Sequence, residues 1–237
     1  MKKYIPNLLT CCNSLFGAIA VVFALKGFLQ TSALLIICAA ILDFFDGFIA
    51  RRLNVISLIG KDLDSLADVI SFALAPAAIL YMWMEFCFEN LSPELQFFPL
   101  TMLPYIAFII VPFSAYRLAK FNNDERQKQD FYGLPTPANA FFIAFVPFAA
   151  DNLPLLDNFW ALIGITIVFS ILLIVGFPMF SLKFTNFSFK KNWIRYIFLS
   201  LSLLLIVAFQ LAAFPIMIIL YILISSIKFG LTKVLHQ

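Results

Sequence analysis

Long apolar segments separated by short polar ones dominate the chain. A hydrocarbon core about 30 Å thick is crossed by roughly 20 helical residues, and the runs between charged positions predict about eight membrane-spanning helices. The predicted spans are 7–28, 31–51, 63–84, 97–118, 136–150, 158–180, 194–210 and 212–229. The last two form one uncharged stretch that is too long for a single crossing. We therefore place a break near Gln210, with Pro215 opening the next helix.

The composition agrees with a protein that is dissolved in lipid. Of the 237 residues, 63% are hydrophobic and 12% are charged, whereas soluble domains have about half apolar and about a quarter charged residues. The net charge of +3 gives no reason to expect nucleic acid as a partner. Without an internal repeat or a flexible linker, the pattern predicts an all-α polytopic transmembrane helix bundle that forms a single integral membrane domain, residues 1–237.

The basic residues indicate how the helices are oriented. Cytoplasmic loops of membrane proteins carry an excess of Lys and Arg. With eight spans and a cytoplasmic N-terminus, all but one of the 16 basic residues fall on the cytoplasmic side, and the exception is Lys26. The predicted outer loops instead carry mainly acidic side chains. We therefore expect a multi-pass protein of the cell membrane with both termini in the cytoplasm.

Soft metal ligands are scarce in this chain. Its lone histidine, His236, stands next to the last residue, and the four cysteines have no CxxC spacing. This excludes mechanisms that need an internal catalytic or zinc-binding histidine, and it favours reading the cysteines as small apolar side chains.

Four aspartates stand near the ends of the second and third predicted spans. An aspartate at the bilayer centre costs about 2.5–3.5 kcal/mol, so such a cluster needs a reason. At helical periodicity each span presents one face of carboxylates and very small residues. These faces consist of Asp43, Asp46, Gly47 and Ala50, with Arg51 at the edge, and of Gly60, Asp64 and Asp68. Asp62 points the other way and is expected to be solvated at the helix start.

The four carboxylates predict a metal site at the cytoplasmic ends of the two helices. Oxygen ligands without His or Cys select hard cations such as Mg²⁺, Mn²⁺ or Ca²⁺. Four carboxylates suit a pair of divalent ions, an arrangement that activates an oxygen nucleophile and stabilises a leaving phosphate. Gly47, Ala50 and Gly60 leave space beside the metals, and Arg51 supplies a fork for phosphate oxygens.

Two other interpretations of the aspartates are available. They would be ordinary interfacial residues if they only paired with Arg51, Arg52 and Lys61. They would belong to a cation transporter if they lined a path for ions, but a transporter is expected to carry polar groups at the midplane of several helices. The later spans are nearly free of such groups.

The aspartate segment resembles the signature of a known enzyme family. From Asp43 to Asp68 it reads D-x2-D-G-x2-A-R-x8-G-x3-D-x3-D, as in the CDP-alcohol phosphatidyltransferases. The flanking segments resemble the phosphatidylserine synthase branch: IPNLLT at 5–10, LDSLADVISF at 63–72, RLAKFN at 117–122 and GLPTPA at 133–138. The resemblance covers residues 5–150, which form the core of the family, and leaves 158–237 as additional spans.

This resemblance implies a reaction and a set of partners. CDP-diacylglycerol and L-serine would be the substrates, and the serine hydroxyl would displace CMP to give phosphatidylserine. It further implies Mg²⁺ or Mn²⁺, as two ions bound by the four aspartates, with Asp68 also acting as the catalytic base. A homodimer is also implied. The alternative within the family is a sister transferase that uses glycerol 3-phosphate or an inositol phosphate, acceptors that need a denser basic pocket.

Further residues are assigned to the two substrates on the same basis. We expect Gly47, Ala50, Gly60 and Arg51 to bind CDP-diacylglycerol. Asn7 and Thr10 share a face of the first helix with Ser14 and are further candidates, ordinary polar packing being the alternative. The candidates for serine binding are Arg117, Lys120, Asn122 and Thr136. Lys120 stands where the family more often has Arg. A Lys keeps the positive charge but loses the bidentate geometry of the guanidinium. Basic residues at a cytoplasmic helix end also occur without any ligand.

Overall fold

The computed structural model of the chain describes residues 4–55, 58–123, 131–150, 153–180, 182 and 188–235. The helices are α1 (Tyr4–Leu25), α2 (Leu29–Arg52), α3 (Leu58–Val69), α4 (Ala75–Glu89), α5 (Ile110–Asn123), α6 (Thr136–Ala149), α7 (Phe159–Ile174), α8 (Phe189–Phe209) and α9 (Ala213–Leu235). A π-helical turn, Ile70–Leu74, joins α3 to α4, and 3₁₀ helices cover Pro93–Leu95, Leu100–Ile109, Pro154–Asp157 and Gln210–Ala212. The prediction of an all-α bundle is confirmed.

Several of these helices have the length and apolarity of membrane spans. Among the described residues, five stretches qualify on those two criteria: Tyr4–Leu25, Leu29–Arg52, Ile59–Glu89, Leu100–Asn123 and Asn192–Phe229. Two shorter apolar helices, α6 and α7, lie between the last two stretches. The chain is thus a multi-pass membrane protein. The number of crossings and the side on which the termini lie stay predictions.

The last of these stretches contains the break that the sequence predicts near Gln210. The helix α8 ends at Phe209, and Gln210 has a φ of +50°, in the left-handed region. A short 3₁₀ turn follows before α9 begins at Ala213, so that Pro215 falls in the first turn of α9. Proline is tolerated there because the first backbone N–H groups of a helix have no helical acceptor.

Small side chains let the N-terminal helices approach closely. Ala20, Ala24 and Ala33 are fully buried between α1 and α2, and Ser32 Oγ donates a hydrogen bond to the carbonyl oxygen of Ala20 at 2.7 Å. Such small residues are typical of helix interfaces in membranes, because they allow close backbone approach. The tight α1–α2 pair fixes the position of the second helix, which carries Asp43 and Asp46.

The π-helical turn packs against α1 at a point where no side chain would fit. A Cβ atom on Gly17 would lie 2.7 Å from the Cα atom of Ser71. Ser71 Oγ donates a hydrogen bond to the carbonyl oxygen of Asn13 at 2.9 Å, one helical turn earlier on α1. These contacts hold the end of α3, which carries Asp64 and Asp68, against the first helix.

A two-stranded clasp joins the segment before α6 to the end of α7. Strand β1 (Phe131–Tyr132) pairs antiparallel with β2 (Pro178–Met179), and the Gly133 amide donates to the Phe177 carbonyl oxygen at 2.8 Å. Gly133 has a φ of +84°, and a Cβ atom there would lie 2.5 Å from the Leu173 carbonyl oxygen, so glycine is required. The Tyr221 hydroxyl of α9 donates to the Phe180 carbonyl oxygen at 2.7 Å and so anchors the clasp to the last helix.

Candidate active site

Three of the four aspartates converge between α2 and α3. One carboxylate oxygen each of Asp43, Asp64 and Asp68 lies within 4.8 Å of the other two. Asp64 and Asp68 are four residues apart, hence neighbours on one face of α3, and Asp43 faces them from α2. Like charges this close repel unless a proton or a cation compensates them.

This cluster fits a hard divalent cation. Asp68 is 9% exposed, and its Oδ1 atom has no hydrogen-bond partner among the described residues. A buried carboxylate oxygen without a partner is costly, and a metal ion is one group that satisfies it. Purely carboxylate ligands match the preference of Mg²⁺ and Mn²⁺ for oxygen. The metal and the number of ions stay predictions.

Asp46 is held separately from the other three carboxylates. It is 5% exposed, and Thr10 Oγ1 of α1 donates to its Oδ2 atom at 2.5 Å. The same hydroxyl lies 3.1 Å from the Pro6 carbonyl oxygen. Helix α1 therefore fixes the orientation of Asp46, which borders the same cavity as Asp43 and Asp64.

A cavity of about 440 Å³ opens beside the carboxylates. Its lining includes all six residues that the sequence assigns to CDP-diacylglycerol, namely Asn7, Thr10, Gly47, Ala50, Arg51 and Gly60. A Cβ atom on Gly47 would lie 3.3 Å from Arg51 Nη1, so the glycine leaves room for the arginine side chain. Lys61 adds a second positive charge to the wall, while Ser14 and Asp68 are not among the lining residues.

Arg117 and Thr136 meet near Asp68. They are 6% and 0% exposed, and Arg117 Nη1 donates to Thr136 Oγ1 at 3.3 Å. The Arg117 guanidinium interacts electrostatically with the Asp68 carboxylate, and its central carbon lies 5.2 Å from the centre of the Phe121 ring. Its Nε atom has no hydrogen-bond partner among the described residues. The structure thus brings two of the four predicted serine-binding residues together.

The other two predicted serine-binding residues lie nearer the end of α5. Asn122 is tied to α3: its Nδ2 atom donates to Ser65 Oγ at 2.7 Å, and its carbonyl oxygen accepts from Lys61 Nζ at 2.6 Å. Lys120 is partly buried. These contacts join α5 to α3 and leave Arg117 as the cation next to Asp68. Asp62 is exposed, as expected for a residue outside the site.

Three buried polar residues near the site do not belong to the recognised motifs. Asn13, Ser114 and Asn139 are each 0% exposed, and their side-chain polar atoms have no hydrogen-bond partner among the described residues. A signal for them is present in the sequence. Each stands one helical turn from a candidate residue within an otherwise apolar helix: Asn13 from Thr10, Ser114 from Arg117 and Asn139 from Thr136.

Fold and site together define a class of membrane enzyme. The family described as CDP-alcohol phosphatidyltransferase matches residues 3–177, which include the carboxylate cluster and the whole lining of the cavity. That range covers well over half of the chain. The chain therefore belongs to the CDP-alcohol phosphatidyltransferase family.

Several relatives indicate which members of the family the chain is most useful to compare with. A CDP-diacylglycerol–serine O-phosphatidyltransferase of Helicobacter pylori is 29% identical over 231 residues, covering 94% of this chain and 90% of the relative. One of Bacillus subtilis is 31% identical over 150 residues, covering 62% and 76%. An archaetidylserine synthase of Methanothermobacter thermautotrophicus is 30% identical over 142 residues, covering 59% and 56%.

Proposed function

We propose that the chain transfers the phosphatidyl group from CDP-diacylglycerol to the hydroxyl of L-serine, which yields phosphatidylserine and CMP. The observation that carries the proposal is the cluster of Asp43, Asp64 and Asp68 at the wall of a cavity lined by the family motif. The relatives support serine as the acceptor, since two of them are named serine O-phosphatidyltransferases and one an archaetidylserine synthase. The resemblance to the family further supports a homodimer.

The carboxylates provide the proposed metal site. Asp43, Asp64 and Asp68, with Asp46 beside them, would hold Mg²⁺ or Mn²⁺, and the four acids suit a pair of ions. Such ions, when bound, offset negative charge on the pyrophosphate and on the departing CMP. Thr10 keeps the Asp46 carboxylate in place through its hydrogen bond, so this ligand position is organised before substrate binds.

The cavity provides the proposed site for the nucleotide part of CDP-diacylglycerol. Gly47, Ala50 and Gly60 leave space for the cytidine, and Arg51 and Lys61 bring positive charge to the phosphates. Asn7 and Thr10 line the cavity from α1. Because acyl chains stay in the bilayer while the nucleotide stays in water, the scissile pyrophosphate has to lie at the interface, near the helix ends that carry the aspartates.

We place the transfer step at Asp68, between the cavity and the buried Arg117. The serine oxygen attacks the phosphorus that bears diacylglycerol, the bond from that phosphorus to the CMP oxygen breaks, and the Asp68 carboxylate accepts the hydroxyl proton. Asp68 suits this role because it interacts with Arg117, the proposed site of the serine carboxylate, and so lies next to the acceptor. Arg117 would bind the serine carboxylate, with Thr136 fixing the guanidinium; Lys120 and Asn122 would contribute only from the edge.

A comparison of acceptors tests the proposal. Purified protein is incubated with CDP-diacylglycerol and Mg²⁺ or Mn²⁺, and CMP release is measured with L-serine, glycerol 3-phosphate or an inositol phosphate. Serine is expected to give the largest rate, and a chelator should abolish it. A higher rate with either phosphorylated acceptor would make the chain a sister transferase, and undiminished release in the presence of chelator would exclude the metal site.

A further inference from the structure

Two polar side chains are buried one turn below the Arg117–Thr136 pair and have no hydrogen-bond partner among the described residues. Ser114 of α5 and Asn139 of α6 are both 0% exposed. The Ser114 hydroxyl and both ends of the Asn139 amide lack a hydrogen bond within the described part of the chain. Unpaired polar groups in the interior lower stability, so each needs an explanation, and a bound polar ligand is one.

Helix periodicity places these two residues at the same depth in the bundle. Consecutive helices α5 and α6 are joined at one end of the bundle, so they run in opposite directions away from that end. Their contact through Arg117 and Thr136 fixes the register. Ser114 precedes Arg117 by three residues and Asn139 follows Thr136 by three, so both lie one turn deeper on the facing sides. Both helices also pack against the π-helical turn that follows Asp68.

The unpaired groups match the polar ends of a zwitterionic amino acid. Arg117 Nε, which has no partner in the described part of the chain, can donate to a carboxylate, and Ser114 and Asn139 present oxygen acceptors that an ammonium group needs. The Asp68 carboxylate, which interacts with Arg117, lies where the hydroxyl of the ligand would be. Ser114 and Asn139 are neutral, so they provide hydrogen bonds but no second positive charge, which a phosphorylated alcohol would need.

We propose that Ser114 and Asn139 bind the α-ammonium group of the acceptor and thereby select a free amino acid over a phosphorylated alcohol. The inference rests on the proposed function, because it deepens the acceptor specificity of the same site. Binding at Arg117 and at this pair fixes two points of the acceptor. The third point, the hydroxyl, is then directed at Asp68.

Two substitutions test the subsite through the Michaelis constants of the two substrates. Asn139→Leu removes the carbonyl oxygen and the NH2 group of the side-chain amide while keeping a similar volume, and Ser114→Ala removes one hydroxyl. CMP release is measured with serine varied at saturating CDP-diacylglycerol, and then with CDP-diacylglycerol varied at saturating serine. Loss of a hydrogen bond to a charged group is expected to raise the KM for serine by about tenfold or more, while the KM for CDP-diacylglycerol stays within about twofold.

A matched control and an acceptor analogue separate recognition from structural damage. Ser225→Ala deletes an equally buried hydroxyl on α9 that also lacks a hydrogen-bond partner among the residues the structure describes, and it should leave both KM values unchanged. 3-Hydroxypropionate has the carboxylate and hydroxyl of serine but no ammonium. In the wild-type protein the kcat/KM for serine should be much larger than that for 3-hydroxypropionate. In Asn139→Leu the ratio of these two constants should fall toward one.

Each outcome either supports or contradicts the proposed ammonium subsite. An unchanged KM for serine in both variants, or a loss of turnover without any change in that KM, would overturn the subsite. If Asn139→Leu cannot be purified, the KM values of Ser114→Ala decide alone, since that change is small. An absence of serine-dependent CMP release by the wild type would instead remove the proposed function, and the subsite with it.

Discussion

At the scale of single residues, Asp68 differs from the other carboxylates of the cluster in what surrounds it. Asp43 and Asp64 border the cavity, whereas Asp68 is buried deeper and interacts with the Arg117 guanidinium. It therefore stands between the proposed binding site of the nucleotide and that of the acceptor. A carboxylate in this position can take a proton from the acceptor without being displaced by the pyrophosphate.

Asp68→Asn should nearly abolish CMP release while the protein stays folded in detergent. The amide keeps the size of the side chain but loses the charge and the basic oxygen. The matched control is Asp62→Asn, because Asp62 is an exposed acid on the same helix. Near-wild-type turnover of Asp68→Asn would end its assignment as the base, whatever the control does.

Thr10→Val should lower activity through Asp46. The change keeps the shape of a buried side chain but removes the donor that holds the Asp46 carboxylate. A hydrogen bond to a charged group contributes about 1.5–3 kcal/mol, so we expect a fall in CMP release of about tenfold or more. Thr166→Val is the control, since Thr166 Oγ1 is a buried hydroxyl that donates to the Leu162 carbonyl oxygen of its own helix at 2.7 Å. Equal rates in the two variants would contradict a role for Thr10.

The sequence predicts single residues of the site well where helical periodicity decides their position. The residues assigned to the nucleotide line one cavity because a fixed period places them on the same faces of α1, α2 and α3. It does not predict that Thr10 holds Asp46 apart from the other carboxylates. That difference depends on how α1 packs against α2, which a periodic pattern does not contain.

At the scale of elements, the third predicted span is a composite helix. The apolar pattern predicts a continuous helix over 63–84, and the structure has α3, the π-helical turn Ile70–Leu74 and α4 in succession. A π turn inserts one residue per turn without changing the hydropathy of the segment, so the pattern carries no sign of it. It lies directly after Asp68 and presents Ser71 to α1, which suits the frequent location of π turns at functional sites.

Gly17→Ala should weaken the contact between α1 and this turn. Alanine favours helices over glycine by about 1 kcal/mol, but overpacking typically costs about 1–3 kcal/mol, and here the new Cβ would meet backbone. We expect lower thermal stability in detergent together with lower activity. Gly164→Ala is the control, because a Cβ atom on Gly164 meets nothing within 4 Å. A Gly17→Ala protein as stable as this control would show that the contact can relax.

At the scale of the whole molecule, orientation in the membrane decides where the active site works. The asymmetry of basic residues predicts that the helix ends carrying the aspartates face the cytoplasm. Helices α6 and α7 have 14 and 16 residues, about 21 and 24 Å at 1.5 Å per residue. Because these lengths fall short of a typical hydrocarbon core, the apolar pattern alone does not fix the number of crossings.

Cysteine labelling tests this orientation. All four cysteines are free, so they can be replaced to give a background for single cysteines. Glu94→Cys and Asn123→Cys introduce thiols at exposed positions on opposite predicted sides. A membrane-impermeant maleimide should label Glu94→Cys on intact cells, and Asn123→Cys only after permeabilisation. The reverse pattern would move the aspartate cluster to the outside.

The division of the polar groups around the aspartates has a consequence for the order of events. Asp43 and Asp64 border an open cavity, whereas Asp68 is buried, does not line that cavity and interacts with the buried Arg117. Under the proposed function, the two substrates reach the aspartate cluster from different directions. Neither then has to leave before the other enters, and an acceptor bound at the buried Arg117 keeps bulk water from competing for the activated phosphorus.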